Sequence, residues 1–199
     1  MPELRLLCKS DVLSVAQLHI NGISTGFISS LGQGFVAALY EAIIEDKNSF
    51  GFVAVIDNKV LGFIAFSTDL SKLYKYVALK RGIKFIFILA KRMLSFRVFK
   101  KICDNIFYPS RMKRMDLPNA EFLSIVVALE GRGKGIAKQL VDTAFTECRK
   151  RGIERVKVLV AADNEAANKL YRKCGFQLHS QINSHKVESN IYVKDLARE

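Results

Sequence analysis

Glu130-Gly131-Arg132-Gly133-Lys134-Gly135-Ile136-Ala137 decides how this chain is read. An apolar, strand-like run, Phe122 to Ala128, leads into it, and a helical pattern from Lys138 to Lys150 leads out. Strand, glycine-rich turn and helix start together gather main-chain N–H groups around one point. The first four N–H groups of a helix lack internal partners and carry a partial positive charge. Glycines let an anion approach the backbone, and Arg132 and Lys134 add full charges. The turn therefore reads as an anion-binding loop.

Two familiar phosphate loops do not fit. A nucleoside triphosphate loop needs Ser or Thr after Gly-Lys to hold magnesium, and here Gly135 follows Lys134. A dinucleotide fold needs G-x-G-x-x-G, and after Gly131 and Gly133 the required third glycine is Ile136.

The spacing Arg132-x-x-Gly135-x-Ala137 resembles the acyl-CoA pyrophosphate loop of the GCN5-related N-acetyltransferase (GNAT) superfamily, Gln/Arg-x-x-Gly-x-Gly/Ala. Downstream, Asn164 to Phe176 is similar to that family's later motif, Asn-x-x-Ala-x-x-Leu-Tyr-x-x-x-Gly-Phe. The two occur in the family's order with one strand pattern between them. The resemblance implies an α/β fold with a mixed, splayed central sheet flanked by helices. It also implies acetyl-CoA as co-substrate, direct transfer of acetyl to an amine, and no metal. The cofactor-binding residues it implies are Arg132, Gly133, Lys134, Gly135, Ile136, Ala137 and Lys138 at the pyrophosphate. Along the pantetheine arm it implies the strand edge at Ile125, Val126 and Val127, and the side chain of Asn164; Asn168, one helical turn on, could do the same from the same face. The catalytic residues it implies are Tyr171, as proton donor to the leaving thiolate, and Glu121, as base toward the amine. A phenol with its ordinary pKa near 10 stays protonated at neutral pH and suits that task. His179 and His185 are the other candidate bases.

Composition bounds these expectations. The chain has 199 residues, half of them apolar, and is expected to form a single acetyltransferase domain, 1–199. Cys8, Cys103, Cys148 and Cys174 form no C-x-x-C pair, and the three histidines have no helical pairing, so a metal site is not expected. Met1-Pro2-Glu3 opens without basic charge or a following apolar run, which predicts no signal peptide and a cytoplasmic protein with reduced thiols.

The local patterns predict a strand at Leu4–Leu7, a helix from Val12 to His19, a glycine- and serine-rich connection over Gly22–Gly34 and a helix from Phe35 to Ile44. A hairpin follows, Phe50–Ile56 and Val60–Phe66 about Asp57-Asn58-Lys59. Arg155–Val160 is expected as a strand, Asp163 as the cap of the helix carrying Tyr171, and 176–182 and 186–193 as a last antiparallel pair.

Between the third and fourth strands lies a segment, 70–118, that the family pattern does not call for. It is expected to form a helical insertion. Thirteen Lys or Arg against two Asp give it eleven of the chain's twelve net positive charges. Three readings follow: a solvated helical face, attraction of an anionic acceptor, or contact with an anionic membrane surface, since its cations interleave with Phe, Ile and Leu. Its longest apolar run, Phe85 to Ala90, is far short of the roughly 20 residues of a span. No nucleic-acid motif is present, and oligomeric state is not legible. The function expected is N-acetylation of a primary amine on a small molecule, an anionic one such as an amino-sugar nucleotide being compatible with the charge. The alternatives are a non-catalytic acyl-CoA-binding module and a protein N-terminal or lysine acetyltransferase.

Overall fold

The described strands, β1 (Glu3–Leu6), β2 (Ser49–Ile56), β3 (Lys59–Ser67), β4 (Glu121–Val127), β5 (Arg155–Ala161), β6 (Gln177–Ser184) and β7 (Val187–Asp195), form one sheet in the order β1-β2-β3-β4-β5-β7-β6. The computed structural model describes residues 2–24, 26–93, 115–184 and 187–197. Every pairing is antiparallel except that of β4 with β5. That parallel pairing has two rungs, Glu121 with Lys157 and Phe122 with Val158, after which the strands part. The result is the mixed, splayed sheet that the resemblance implies.

The hairpin forms as its turn chemistry demands. Asp57 and Asn58 both take positive φ, 49° and 58°, as a two-residue type I′ turn requires. Opposite it, the β3–β4 register slips between Ala65 and Phe66, so Leu123 is an extra residue in β4. Such a bulge bends the strand just where it leaves β5.

Helices cover both faces. On one lie α1 (Val12–Gly22) and α3 (Gln33–Glu45), which bury Val15, Ala16, Val36, Tyr40 and Ile43 against Val53, Phe63, Ala65 and Val126. Gly22 is needed for this contact, since a Cβ there would meet Val126 Cγ1 at 2.3 Å. A short helix, α2 (Phe27–Ser30), interrupts what the sequence presents as a plain connection. On the other face lie α6 (Ile136–Lys150) and α7 (Glu165–Lys173). From α6, Leu140, Val141, Ala144, Phe145 and Cys148 form a buried stripe at helical spacing, and Tyr171 and Phe176 join the same core. Both α6 and α7 start at the carboxyl ends of the parallel strands β4 and β5, beside the opening of the splay.

The insertion is helical where it is described. In α4 (Leu70–Tyr76), Asp69 caps the first turn through Lys72 N–H. A π-helical turn, Val77–Arg81, leads to α5 (Gly82–Met93). Leu70 and Leu73 enter the α1/α3 core, and Phe85 packs edge-on against Phe35 of α3 at 4.9 Å. Arg81 pairs with Glu45 and Lys84 with Glu41, so two of the insertion's cations are matched by α3. The part of the insertion from 94 to 114 lies outside the described residues. No helix among the described residues is long and apolar enough to cross a membrane.

Candidate active site

The glycine-rich turn has the geometry of an open cradle. Gly133 and Gly135 have φ of 75° and 74°, left-handed values that side chains disfavour, and Gly135 is the N-cap of α6. No side chain caps that helix end. A Cβ on Gly133 would meet nothing within 4 Å, and on Gly135 only Gln139 Nε2 at 3.8 Å. The turn is thus open on its glycine side among the described residues, beside a helix N-terminus whose first amides lack intrahelical partners. Helix α6 begins at Ile136, two residues before its pattern becomes legible, so Ala137 and Lys138 belong to the first turn. Lys138 pairs with Asp142 at 2.6 Å, which draws its charge along the helix.

Past the bulge, β4 offers one free edge. Ala128 N–H donates to Leu61 O at 2.8 Å, so main-chain groups at 124 and 126 face β3 and those at 125 and 127 face the gap. Ile125 and Val127 can therefore pair with an amide-bearing ligand as an added strand does. Val126 cannot, because its main chain is turned to β3 opposite Phe63. The Val127 carbonyl accepts a long contact from Arg132 Nε, 3.4 Å.

The two asparagines divide. Asn164, not Asp163, caps α7: its Oδ1 accepts from Ala167 N–H at 3.1 Å, while the residue stays exposed. Asn168 is buried and spends its amide inside the protein. Its Nδ2 donates to Ala161 O at 2.9 Å and Asn164 O at 2.7 Å, and its Oδ1 accepts from Asn190 Nδ2 at 2.7 Å and Tyr192 OH at 3.0 Å. It ties α7 to β5 and β7 and has no group left for a ligand.

Glu121 belongs to the first rung of the β4–β5 pairing, and Tyr171 is linked to the second through one intervening ring on the opposite face. The ring of Phe122, in that rung, packs edge-on against Phe176 at 5.8 Å, and Phe176 packs edge-on against Tyr171 at 5.4 Å. Tyr171 lies seven residues from Asn164, about 10 Å down α7 from the mouth of the splay. It is buried, burial holds its hydroxyl well above the ordinary phenol range, and that hydroxyl has no hydrogen-bond partner among the described residues. Glu121 is the neighbour of Phe122 and so faces the other way. It is buried beside Lys157, 3.2 Å away, whose ammonium also donates to Pro118 O. Tyr74 of α4 is close enough that Glu121 and burial together raise its hydroxyl.

Beneath β4 a polar chain crosses the α1/α3 layer. Ser124 Oγ lies 2.8 Å from Tyr40 OH, and Tyr40 OH lies 2.7 Å from His19 Nδ1. His19 Nε2 is buried without a partner among the described residues, and burial pushes the ring down to about 4.

His179 is exposed on β6, two strands beyond β5 and remote from the rung, with Ser180 Oγ at 3.0 Å. His185 lies outside the described residues, as does Cys103. Lys157 and Tyr74 are the site residues that the sequence hides. In Arg155–Val160 the valines alternate with Lys157, which gives it the signature of a solvent-facing residue, and Tyr74 belongs to a segment outside the motif.

A family model for the acetyltransferase (GNAT) family matches residues 23–176. The chain belongs to this family. A search of curated proteins gave no match. Among solved structures, an N-acetyltransferase from Staphylococcus aureus Mu50 has a TM-score of 0.64 at 21% identity, covering 98% of this chain and 99% of that one. The ribosomal-protein-S18-alanine N-acetyltransferase of Escherichia coli has a TM-score of 0.64 at 13% identity, covering 98% and 94%. Ard1 from Thermoplasma volcanium has 0.62 at 17%, covering 98% and 97%. At these identities the likeness is one of fold. The GNAT fold uses acetyl-CoA as co-substrate and supports acetyl transfer in general.

Proposed function

We propose that this GNAT protein is an N-acetyltransferase that moves acetyl from acetyl-CoA directly to a primary amine on a small molecule. The carrying observation is that Tyr171 and Glu121 lie on opposite faces of the two-rung β4–β5 seam, at the base of a gap with a free strand edge. The open cradle at Gly133 and Gly135 supports seating of the pyrophosphate there, with Arg132 and Lys134 adding charge. Ile125 and Val127 support pairing with the pantetheine amides, and the exposed Asn164 amide stands at the mouth.

When bound, acetyl-CoA supplies the activated acyl group. The amine nitrogen bonds to the carbonyl carbon, the carbon–sulfur bond breaks, and the sulfur leaves with its electron pair. Glu121 takes the amine proton through water. Main-chain N–H groups of β4 past the bulge steady the charge that builds on the carbonyl oxygen. Tyr171 donates to the departing thiolate, and its burial keeps it protonated over the physiological range. The insertion's surplus charge supports an anionic acceptor over a cationic one.

Thiol release measured over a panel of amines, amino-sugar nucleotides and polyamines included, tests this. Turnover with an anionic amine is the expected result. Tight acetyl-CoA binding with no turnover on any amine would replace the enzyme with an acyl-CoA-binding module.

A further inference from the structure

The helix α5 has three faces, and only two are accounted for. Phe85 and Leu89 are buried, each at 7% exposure, and Phe85 packs on Phe35 of α3. Arg81 and Lys84 reach Glu45 and Glu41 of α3. On the remaining face Ile83, Ile86 and Phe87 stand out at 74%, 60% and 78% exposure, with Leu79 of the preceding π turn at 72%. Ile83, Ile86 and Phe87 recur at i, i+3 and i+4 and so form one stripe. Isolated apolar side chains on a surface need no explanation, but four large ones in a row do. Lys80 follows Leu79 directly, and Lys75 lies one turn earlier. Both are exposed and have no ion pair among the described residues.

We propose that α5 docks the protein on an anionic membrane surface, the stripe entering the headgroup layer and the lysines meeting lipid phosphates. A lysine-flanked apolar stripe on a helix that, over its described residues, is not long and apolar enough to span is the pattern of an interfacial helix. Charge selects this occupant. Lys75 and Lys80 beside the stripe have no ion pair among the described residues, so two copies meeting face to face through it would bring like charges together. An anionic bilayer supplies both the apolar depth and the opposite charge that the surface lacks. The inference is independent of the acetyl acceptor.

Sedimentation with vesicles of phosphatidylcholine and phosphatidylglycerol, against phosphatidylcholine alone, tests it on the full chain. The wild type should sediment with the anionic vesicles and be released by salt. Ile83→Ser/Phe87→Ser and Lys75→Glu/Lys80→Glu should each lower partitioning about tenfold or more. Both variants change exposed residues, and unaltered acetyl-CoA affinity would show them folded. Equal sedimentation with the two lipids, or undiminished sedimentation of both variants, would overturn the proposal. So would a dimer that Ile83→Ser/Phe87→Ser dissociates, since a second copy would then own the face, or an acidic protein bound there by a vesicle-indifferent chain.

Discussion

The carboxylate of Glu121 lies 3.2 Å from the ammonium of Lys157, and both residues are buried, at 6% and 2% exposure. The pair closes the first rung of the parallel β4–β5 contact. Removing one partner from a buried pair strands the other's charge, which costs far more than the pair itself contributes. Lys157→Met should therefore destabilise the fold by about 3 kcal/mol. Glu121→Gln in the same chain should recover most of that loss. Denaturant titrations of the two single variants and the double give the coupling. Additive effects would mean that the two charges act independently.

Tyr171→Phe separates chemistry from folding. The hydroxyl has no partner among the described residues, so its removal should leave the melting temperature within a degree or two of wild type, by about the margin of a neutral substitution. Turnover should fall about 10²-fold while acetyl-CoA affinity holds. Tyr171→Ala should in addition cost about 3 kcal/mol or more, because the ring fills the core against Phe176. Single-turnover kinetics and thermal melts read the two effects apart.

Gly135→Val probes the cradle. The protein itself offers a new side chain room there, so the structural cost is that of holding a β-branched residue at φ 74°, about 1–2 kcal/mol. Acetyl-CoA affinity should fall much further, since the side chain would project where the phosphates sit. Calorimetric titration of the folded variant checks this; wild-type affinity would move the pyrophosphate elsewhere.

His19 predicts a pH dependence of stability. Its folded pKa is lowered from 6.5 to about 4 by burial. The unfolded chain therefore takes up a proton first as pH falls, and the native state loses stability between about pH 6.5 and 4, by up to about 3 kcal/mol. Above pH 6.5 the contribution is complete. Asp11, whose carboxyl is held at about 2 by Arg5, adds a separate loss only below its ordinary value of 3.8. Urea midpoints across this range should show the first slope in the wild type and not in His19→Gln.

The fold was legible because its deciding signals are local. The turn at 130–137, the hairpin about Asp57-Asn58 and the stripe of α6 each declare themselves within a dozen residues. Boundaries shifted where a cap competes with a neighbour of like chemistry, as when Asn164 rather than Asp163 closes α7. The site was legible only in part. Asn168 lies one helical turn from Asn164 inside the motif, yet its role is set by Asn190 and Tyr192, more than twenty residues away. Val126 lies in the right strand, but one bulge upstream decides which edge its amide faces. Lys157 looks like a surface lysine until Glu121, 36 residues earlier, is placed beside it. Contacts across the sheet carry no signature in the order of residues.

The two-rung seam between β4 and β5 has a consequence for the molecule as a whole. A sheet sewn at one end only is two leaves with a strand missing between them. An extended ligand bearing amides can take that strand's place, so binding the co-substrate and completing the sheet become a single event. The shortest pairing of the described sheet then lies at the proposed site. Amide hydrogen exchange at Ile125 and Val127 should slow on loading, and the two leaves should melt less independently. On the proposed reading, release of the thiol product would undo that same joint.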